Sequence, residues 1–223
     1  MNLVEYPDSE MMMLDLANRL AGEMSSFLDH EDDITMAVPG GTTPGPIFDD
    51  LCDADVDWSR VRVLLTDERW VPEDHERSNT RLLRERLLIE RASAAEYIPL
   101  YRNDSLDDEV VSTVAADVAE VLPLSILLLG MGADMHTASL FPGASNLEMA
   151  LASDAPPVMA IHAPGAAEPR MTLTAPVLTG AITTHVVIVG AEKRAAVAKA
   201  RKLSALDAPI SIVLKNATIH WAP

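Results

Sequence analysis

Residues 125–143 read SILLLGMGADMHTASLFPG, and the fold turns on them. Five apolar or small residues, Ser125–Leu129, run straight into Gly130 and Gly132, followed by a carboxylate at Asp134, an imidazole at His136 and hydroxyls at Thr137 and Ser139. A run without polar alternation is a strand buried on both faces, as in a parallel sheet covered by helices. Open α/β sheets bind ligands at the carboxyl ends of such strands. An isolated histidine at this kind of turn is more often a capping or packing residue. Here the glycines free the backbone to turn sharply, Asp134 is placed to fix a tautomer, and Thr137 and Ser139 are placed to cap the next segment. In that company His136 is a candidate general base.

The same pattern repeats on both sides of this stretch. Ile34–Val38, Val61–Leu65, Val158–Ile161, His185–Val189 and Ile210–Leu214 also read as strands, most of them continuously apolar. Helical spacing appears over Glu10–Leu28, Arg77–Ile89, Asp107–Val121 and Ala191–Lys199, with Met11, Met12 and Met13 expected in the packing of the first helix. The alternation predicts one α/β domain over residues 1–223, a layered Rossmann-like fold with a mainly parallel sheet flanked by helices.

A chain of 223 residues with 48% hydrophobic content is long enough to bury a full core. Cys52 stands alone, which excludes an internal disulfide and a cysteine metal cluster and fits a reducing compartment. The opening MNLVEYPDSEMMM has no basic stretch before its apolar residues, and no segment approaches the roughly 18 apolar residues of a membrane span. A cytoplasmic location without membrane partners is expected. The charged turn Asp29–Asp33 lacks the ligand spacing of a calcium loop, and no metal site is predicted. The formal net charge of -17 argues against a nucleic-acid partner, which needs basic surface. It also means that an anionic substrate must be held by local cations and amides against the global field. Nothing in the pattern speaks to oligomeric state.

Three further clusters fall at strand ends. In AVPGGTTPGPIFDDL (37–51), Gly40, Gly41 and Thr42 follow a strand and precede a helix, the arrangement of a phosphate cradle; a plain tight turn is the alternative. The stretch lacks the lysine and spacing of a Walker A loop and does not match GxGxxG. In LLTDERWVPEDHERSNTRLL (64–83), Asp67 and Arg69 are candidates for sugar hydroxyls and phosphate oxygens. Glu68, Glu73 and Glu76 read as parts of a capped, salt-bridged connection, and His75 as a ligand contact or, more readily, a loop-fixing residue. Arg170, opening an apolar helix-like run in EPRMTLTAPVL, and Lys193, after the glycine of VVIVGAEK, are candidate phosphate cations.

The ordered set PGGTTP, TDERWVP with HERSN after it, GMGADMHTASLFPG, PRMTLT and VGAEK resembles the 6-phosphogluconolactonases over about residues 37–199. The resemblance implies a sugar-phosphate isomerase-like fold, shared with glucosamine-6-phosphate deaminases. It also implies hydrolysis of 6-phosphoglucono-1,5-lactone to 6-phosphogluconate, a step of the oxidative pentose phosphate pathway, without metal or organic cofactor. The family pattern carries glycine where this chain has Met135. A positive φ at that position places an L side chain in the left-handed region.

The expected chemistry is proton removal by His136 from a water attacking the lactone carbonyl, with oxyanion stabilisation by turn amides or Arg69. Asp67 and Asp134 orient hydroxyls or the imidazole, and Gly40, Gly41, Thr42, His75, Arg170 and Lys193 bind the phosphorylated sugar. A serine acyl-enzyme is less favoured, because Ser139 follows His136 closely and no G-x-S-x-G elbow is present. A deaminase, for which HIAFNEP is expected in place of HTASLFPG, and a non-catalytic sugar-phosphate sensor are the rival functions.

Overall fold

The computed structural model describes residues 2–102, 105–163 and 165–223. Its strands are β1 (Asn2–Glu5), β2 (Ile34–Val38), β3 (Val61–Leu65), β4 (Asp67–Arg69), β5 (Glu96–Ile98), β6 (Ile126–Gly130), β7 (Val158–Ile161), β8 (Arg170–Leu173), β9 (Thr183–Val189) and β10 (Thr218–Ala222). Its α-helices are α1 (Ser9–Leu28), α2 (Gly45–Leu51), α3 (Asn79–Arg86), α4 (Asp108–Glu120), α5 (Leu147–Leu151), α6 (Ala175–Thr179), α7 (Ala191–Ala200) and α8 (Ser211–Leu214).

Seven strands form one sheet in the order β1-β10-β9-β6-β2-β3-β5, and every pairing in it is parallel. The interior strand β2 is buried along its whole length, and the central strand β6 is buried over its first four residues, as their almost wholly apolar sequences require. β2 leads through α2 to β3 on one side, while β6 pairs on its other side, with Met36 opposite Ile126. Connections from these neighbours therefore leave in opposite directions. This opens a crevice at their carboxyl ends, the usual ligand position in such sheets.

The helices start where short polar side chains stop extended backbone. Asp8, Ser78 and Asp107 cap α1, α3 and α4 by accepting from the amides of Met11, Arg81 and Val110. α1 buries Met12, Met13, Leu16, Leu20 and Met24 on one face, against α2 and the sheet. Met11, by contrast, is 56% exposed and takes no part in that packing. No helix among the described residues is long and apolar enough to cross a membrane.

Three sequence readings are corrected. Ile210–Leu214 is not a strand: Ser211–Leu214 is the short helix α8, buried through Val213 and Leu214. Four apolar residues and a serine carry no period that separates a strand from a buried helical turn. Arg170 does not open a helix but begins strand β8, and β7 pairs antiparallel with β8 rather than joining the parallel sheet. β4 completes this second sheet, in the order β4-β8-β7, lying against the mouth of the crevice.

Candidate functional site

The crevice at the β2 and β6 ends is a cleft of about 260 Å³. Its walls come from the turn after β2 (Pro39–Pro44), Asp67 and Arg69 of β4, Asn79 of α3 and the segment after β6 that carries Gly132, His136 and Ala138. Arg170 of β8, Val187 of β9 and Lys193 of α7 close it. Eight of the ten candidate residues thus come together: Gly40, Gly41, Thr42, Asp67, Arg69, His136, Arg170 and Lys193. Asp134 stands just behind the wall, on the imidazole. His75 is not part of the lining; it accepts from the Arg77 amide through Nδ1 at 3.1 Å, a bond that fixes its own loop.

The turn after β6 is a compact backbone device. Met135 N–H donates to Gly132 O at 2.9 Å, and Gly132 N–H donates to His136 O at 3.1 Å, folding the segment back on itself. Met135 has φ 67 and Ala138 φ 48, so two residues with side chains hold left-handed conformations. The Met135 side chain packs against the hydrophobic core, and its carbonyl accepts from Ile210 N–H at 3.2 Å. Gly132 is required sterically: a Cβ there lies 2.3 Å from the His136 ring and 2.4 Å from Asp134 Oδ1.

What that turn achieves is the pairing of His136 Nδ1 with Asp134 Oδ1 at 2.5 Å. A carboxylate only accepts, so in the neutral imidazole the proton sits on Nδ1 and Nε2 is left with its lone pair. The ring is packed on Phe141, centroids 4.2 Å apart, and the Arg170 guanidinium lies 5.3 Å from the same Phe141 ring. Thr137 and Ser139 do not cap the following helix. Thr137 donates to Gly130 O at 3.0 Å, and Ser139, fully buried, donates to Asp67 Oδ2 at 2.6 Å. A hydroxyl so enclosed and so committed is no nucleophile for an acyl-enzyme.

The cationic side of the cleft is equally ordered. Arg170 Nη1 is 3.8 Å from Asp67 Oδ2. Burial pushes the Arg170 guanidinium below its ordinary value; Asp67 pulls it up and Arg69 pushes it down again. Arg69 Nη1 donates to Arg77 O at 2.6 Å, while Nε of both Arg69 and Arg170 is buried without a partner among the described residues. Lys193 stands in the first turn of α7, behind Gly190 at φ 93. Gly41, at φ 85, shapes the turn after β2.

Sequence reasoning missed Asn79, whose Nδ2 donates to Asp67 O at 2.8 Å and whose side chain fills the space a Cβ on Gly40 needs, 2.0 Å away. The signal was Gly40 itself, a glycine with no positive φ to explain it. Phe141 was visible only as part of a motif, since contact with both His136 and Arg170 is made in space. Among the described residues no group of three or more His, Cys, Asp or Glu side chains is arranged to hold a metal ion.

The architecture and the sequence both have close counterparts. The 6-phosphogluconolactonase of Rhizobium meliloti is 36% identical over 232 residues, covering 100% of this chain and 98% of its own. That of Pseudomonas aeruginosa is 36% identical over 217 residues, covering 93% and 89%. A crystal structure of a 6-phosphogluconolactonase from Shewanella baltica superposes with a TM-score of 0.95 at 30% identity, covering 100% of this chain and 97% of that one. The profile of the family described as glucosamine-6-phosphate isomerases/6-phosphogluconolactonase matches residues 7–221, and the chain belongs to that family.

Proposed function

We propose that this chain, acting as one domain of residues 1–223 in the cytoplasm, hydrolyses 6-phospho-D-glucono-1,5-lactone to 6-phospho-D-gluconate. The observation that carries the reading is the Asp134–His136 pair on the wall of a cleft that also holds Arg69, Arg170 and Lys193. A base with its lone pair exposed, facing several cations within one small cleft, suits an uncharged electrophile attached to an anion. Relatives at 36% identity over nearly their full length bear the name of this activity.

The phosphate is held by Lys193 and the Gly40–Gly41–Thr42 turn, with Arg170 adding charge-assisted hydrogen bonds. The lactone carbonyl then lies toward His136. Nε2 takes a proton from water as the water oxygen bonds to C1, and the carbonyl electrons move onto oxygen. Arg69 or turn amides stabilise that oxyanion. Collapse re-forms the carbonyl, breaks the bond from C1 to the ring oxygen, and returns the proton from His136 to that oxygen. The acid so formed ionises to 6-phosphogluconate and releases one proton. Asp134 accepts from Nδ1–H throughout and steadies the imidazolium, and Asp67 orients Arg170.

The test is an assay on freshly generated 6-phosphogluconolactone, with product formation coupled to a dehydrogenase and corrected for spontaneous opening. Turnover above background that is lost in His136→Ala is expected. A wild-type protein that fails to exceed the background overturns the assignment.

A further inference from the structure

The middle residue of β4 is a carboxylate with no solvent exposure. Glu68 is 0% exposed and lies on the side of the strand opposite Asp67 and Arg69, away from the cleft. Oε1 accepts from the backbone N–H of Arg69 at 2.7 Å and of Asn79 at 2.8 Å. Oε2 accepts from Thr80 N–H at 2.7 Å, Thr80 Oγ1 at 2.7 Å and Ser78 Oγ at 3.2 Å. The Thr80 hydroxyl in turn meets Tyr97 OH at 2.7 Å. Every partner of Glu68 is a donor, so the pocket fits a carboxylate and nothing else of that shape. Burial pushes the carboxyl up, and the donors of Asn79, Thr80 and Arg69 offset this only in part, so it stays raised.

Ser78, Asn79 and Thr80 are the cap and first turn of α3. The positive end of that helix is thus occupied by a side chain of the protein itself. Arg69 is tied to this segment at both its ends: its amide shares Oε1 with the Asn79 amide, and its guanidinium donates to Arg77 O at 2.6 Å. A shift of residues 77–80 relative to β4 therefore moves the Arg69 guanidinium directly.

We propose that Glu68 is a positioning residue for the lactonase reaction, acting through Arg69 although it touches no substrate. The inference rests on the lactonase reading above. Glu68→Gln turns an NH2 group against facing donors and loosens β4 from α3, so Arg69 loses its aim.

A double-mutant cycle tests this, and wild-type turnover above the spontaneous rate is measured first. Its absence removes the lactonase reading before any variant is compared. Given that turnover, Glu68→Gln is expected to lower kcat/KM about 10- to 100-fold with Arg69 present and less than about 3-fold in an Arg69→Ala background. The urea midpoint falls equally in both. A merely structural Glu68 lowers the midpoint and leaves kcat/KM of the folded protein unchanged. That result, or the same fold-loss in both backgrounds, overturns the proposal. If Glu68→Gln does not fold, Thr80→Val removes a single donor to the same carboxylate. It is expected to cost about 3- to 10-fold in kcat/KM, with the effect again absent in Arg69→Ala. No loss with Arg69 present, or an undiminished loss in its absence, overturns the proposal by that route.

Discussion

Arg69 and Arg170 stand directly opposite each other on the antiparallel β4–β8 pair. Like charges in register on neighbouring strands repel, and here Asp67 of the cleft lining, 3.8 Å from Arg170, offsets them. A bound anion relieves this repulsion, so the pair stores its preference for ligand in the free protein. Arg170→Gln removes one of the two charges. We expect it to lower kcat/KM by about 10- to 100-fold, the worth of one or two hydrogen bonds to a charged group. Thermal unfolding of the ligand-free variant should stay within a few degrees of wild type, and should lose most of its upward shift on adding 6-phosphogluconate.

The Asp134–His136 contact makes a second expectation. His136→Ala should cost about 10²- to 10⁴-fold in kcat, the range of general base catalysis. Asp134→Asn keeps the shape but offers Nδ1 a neutral amide, which no longer secures the tautomer with a free Nε2 or the imidazolium that follows. Its loss should fall mainly in kcat with KM little changed, as measured on the coupled assay. A loss confined to KM would sink the orienting role of Asp134.

Met135 supplies a third. The left-handed conformation at φ 67 costs an L residue roughly 1–2 kcal/mol, and core packing of the side chain offsets it. Met135→Gly removes both, so stability should change by less than about 1 kcal/mol once the greater freedom of unfolded glycine is included. Met135→Val keeps the strain, adds β-branching and loses reach into the core. It should be destabilised by about 2 kcal/mol or more, with lower kcat. Urea unfolding of the two variants checks the order.

The fourth concerns pH. A hydrogen-bonded chain runs from Asp15 through Tyr6, His220 and His185 to Glu23, with links of 2.6, 3.0, 3.0 and 2.9 Å. Burial, and then the neighbouring His185, push His220 down to about 4. Burial pushes Glu23 up, but the His185 hydrogen bond and charge overcome this and leave it lowered. The signs agree. Below about pH 6.5 the unfolded chain binds a proton that native His220 refuses, so this contribution is complete above that pH and declines toward pH 4. Glu23 adds a further loss below its unfolded value. Urea unfolding should show stability falling by up to about 3 kcal/mol through His220 between pH 6.5 and 4, and His220→Gln should flatten that stretch of the curve.

The parallel core was readable because its strands are largely buried on both faces: Ile34–Val38 and Val61–Leu65 have the bounds read from the sequence. Val158–Ile161 has its expected bounds too, but in the second, antiparallel sheet. The helices α1 and α4 announced themselves by period, while their caps, Asp8 and Asp107, emerge only from the structure. β4 did not, because Asp-Glu-Arg looks like surface, and only the five donors around Glu68 make such a sequence tenable inside. β8 reads as helical because it passes through Thr174 straight into α6, so strand and helix share one apolar stretch with no turn residue between them. In the site, the charged residues that face the cleft carry chemically distinctive side chains and were found. Asn79, an amide on the cleft wall, and Phe141, behind it, have meaning only through three-dimensional neighbours.

The crevice between β2 and β6 also sets when the protein becomes active as it folds. Met36 must find Ile126 before the two strand ends stand side by side, which closes a long loop, whereas α1 and α4 form from near neighbours. Regained turnover is therefore a late event of refolding, trailing the helical signal, and activity measured against time reports the closure of the sheet centre.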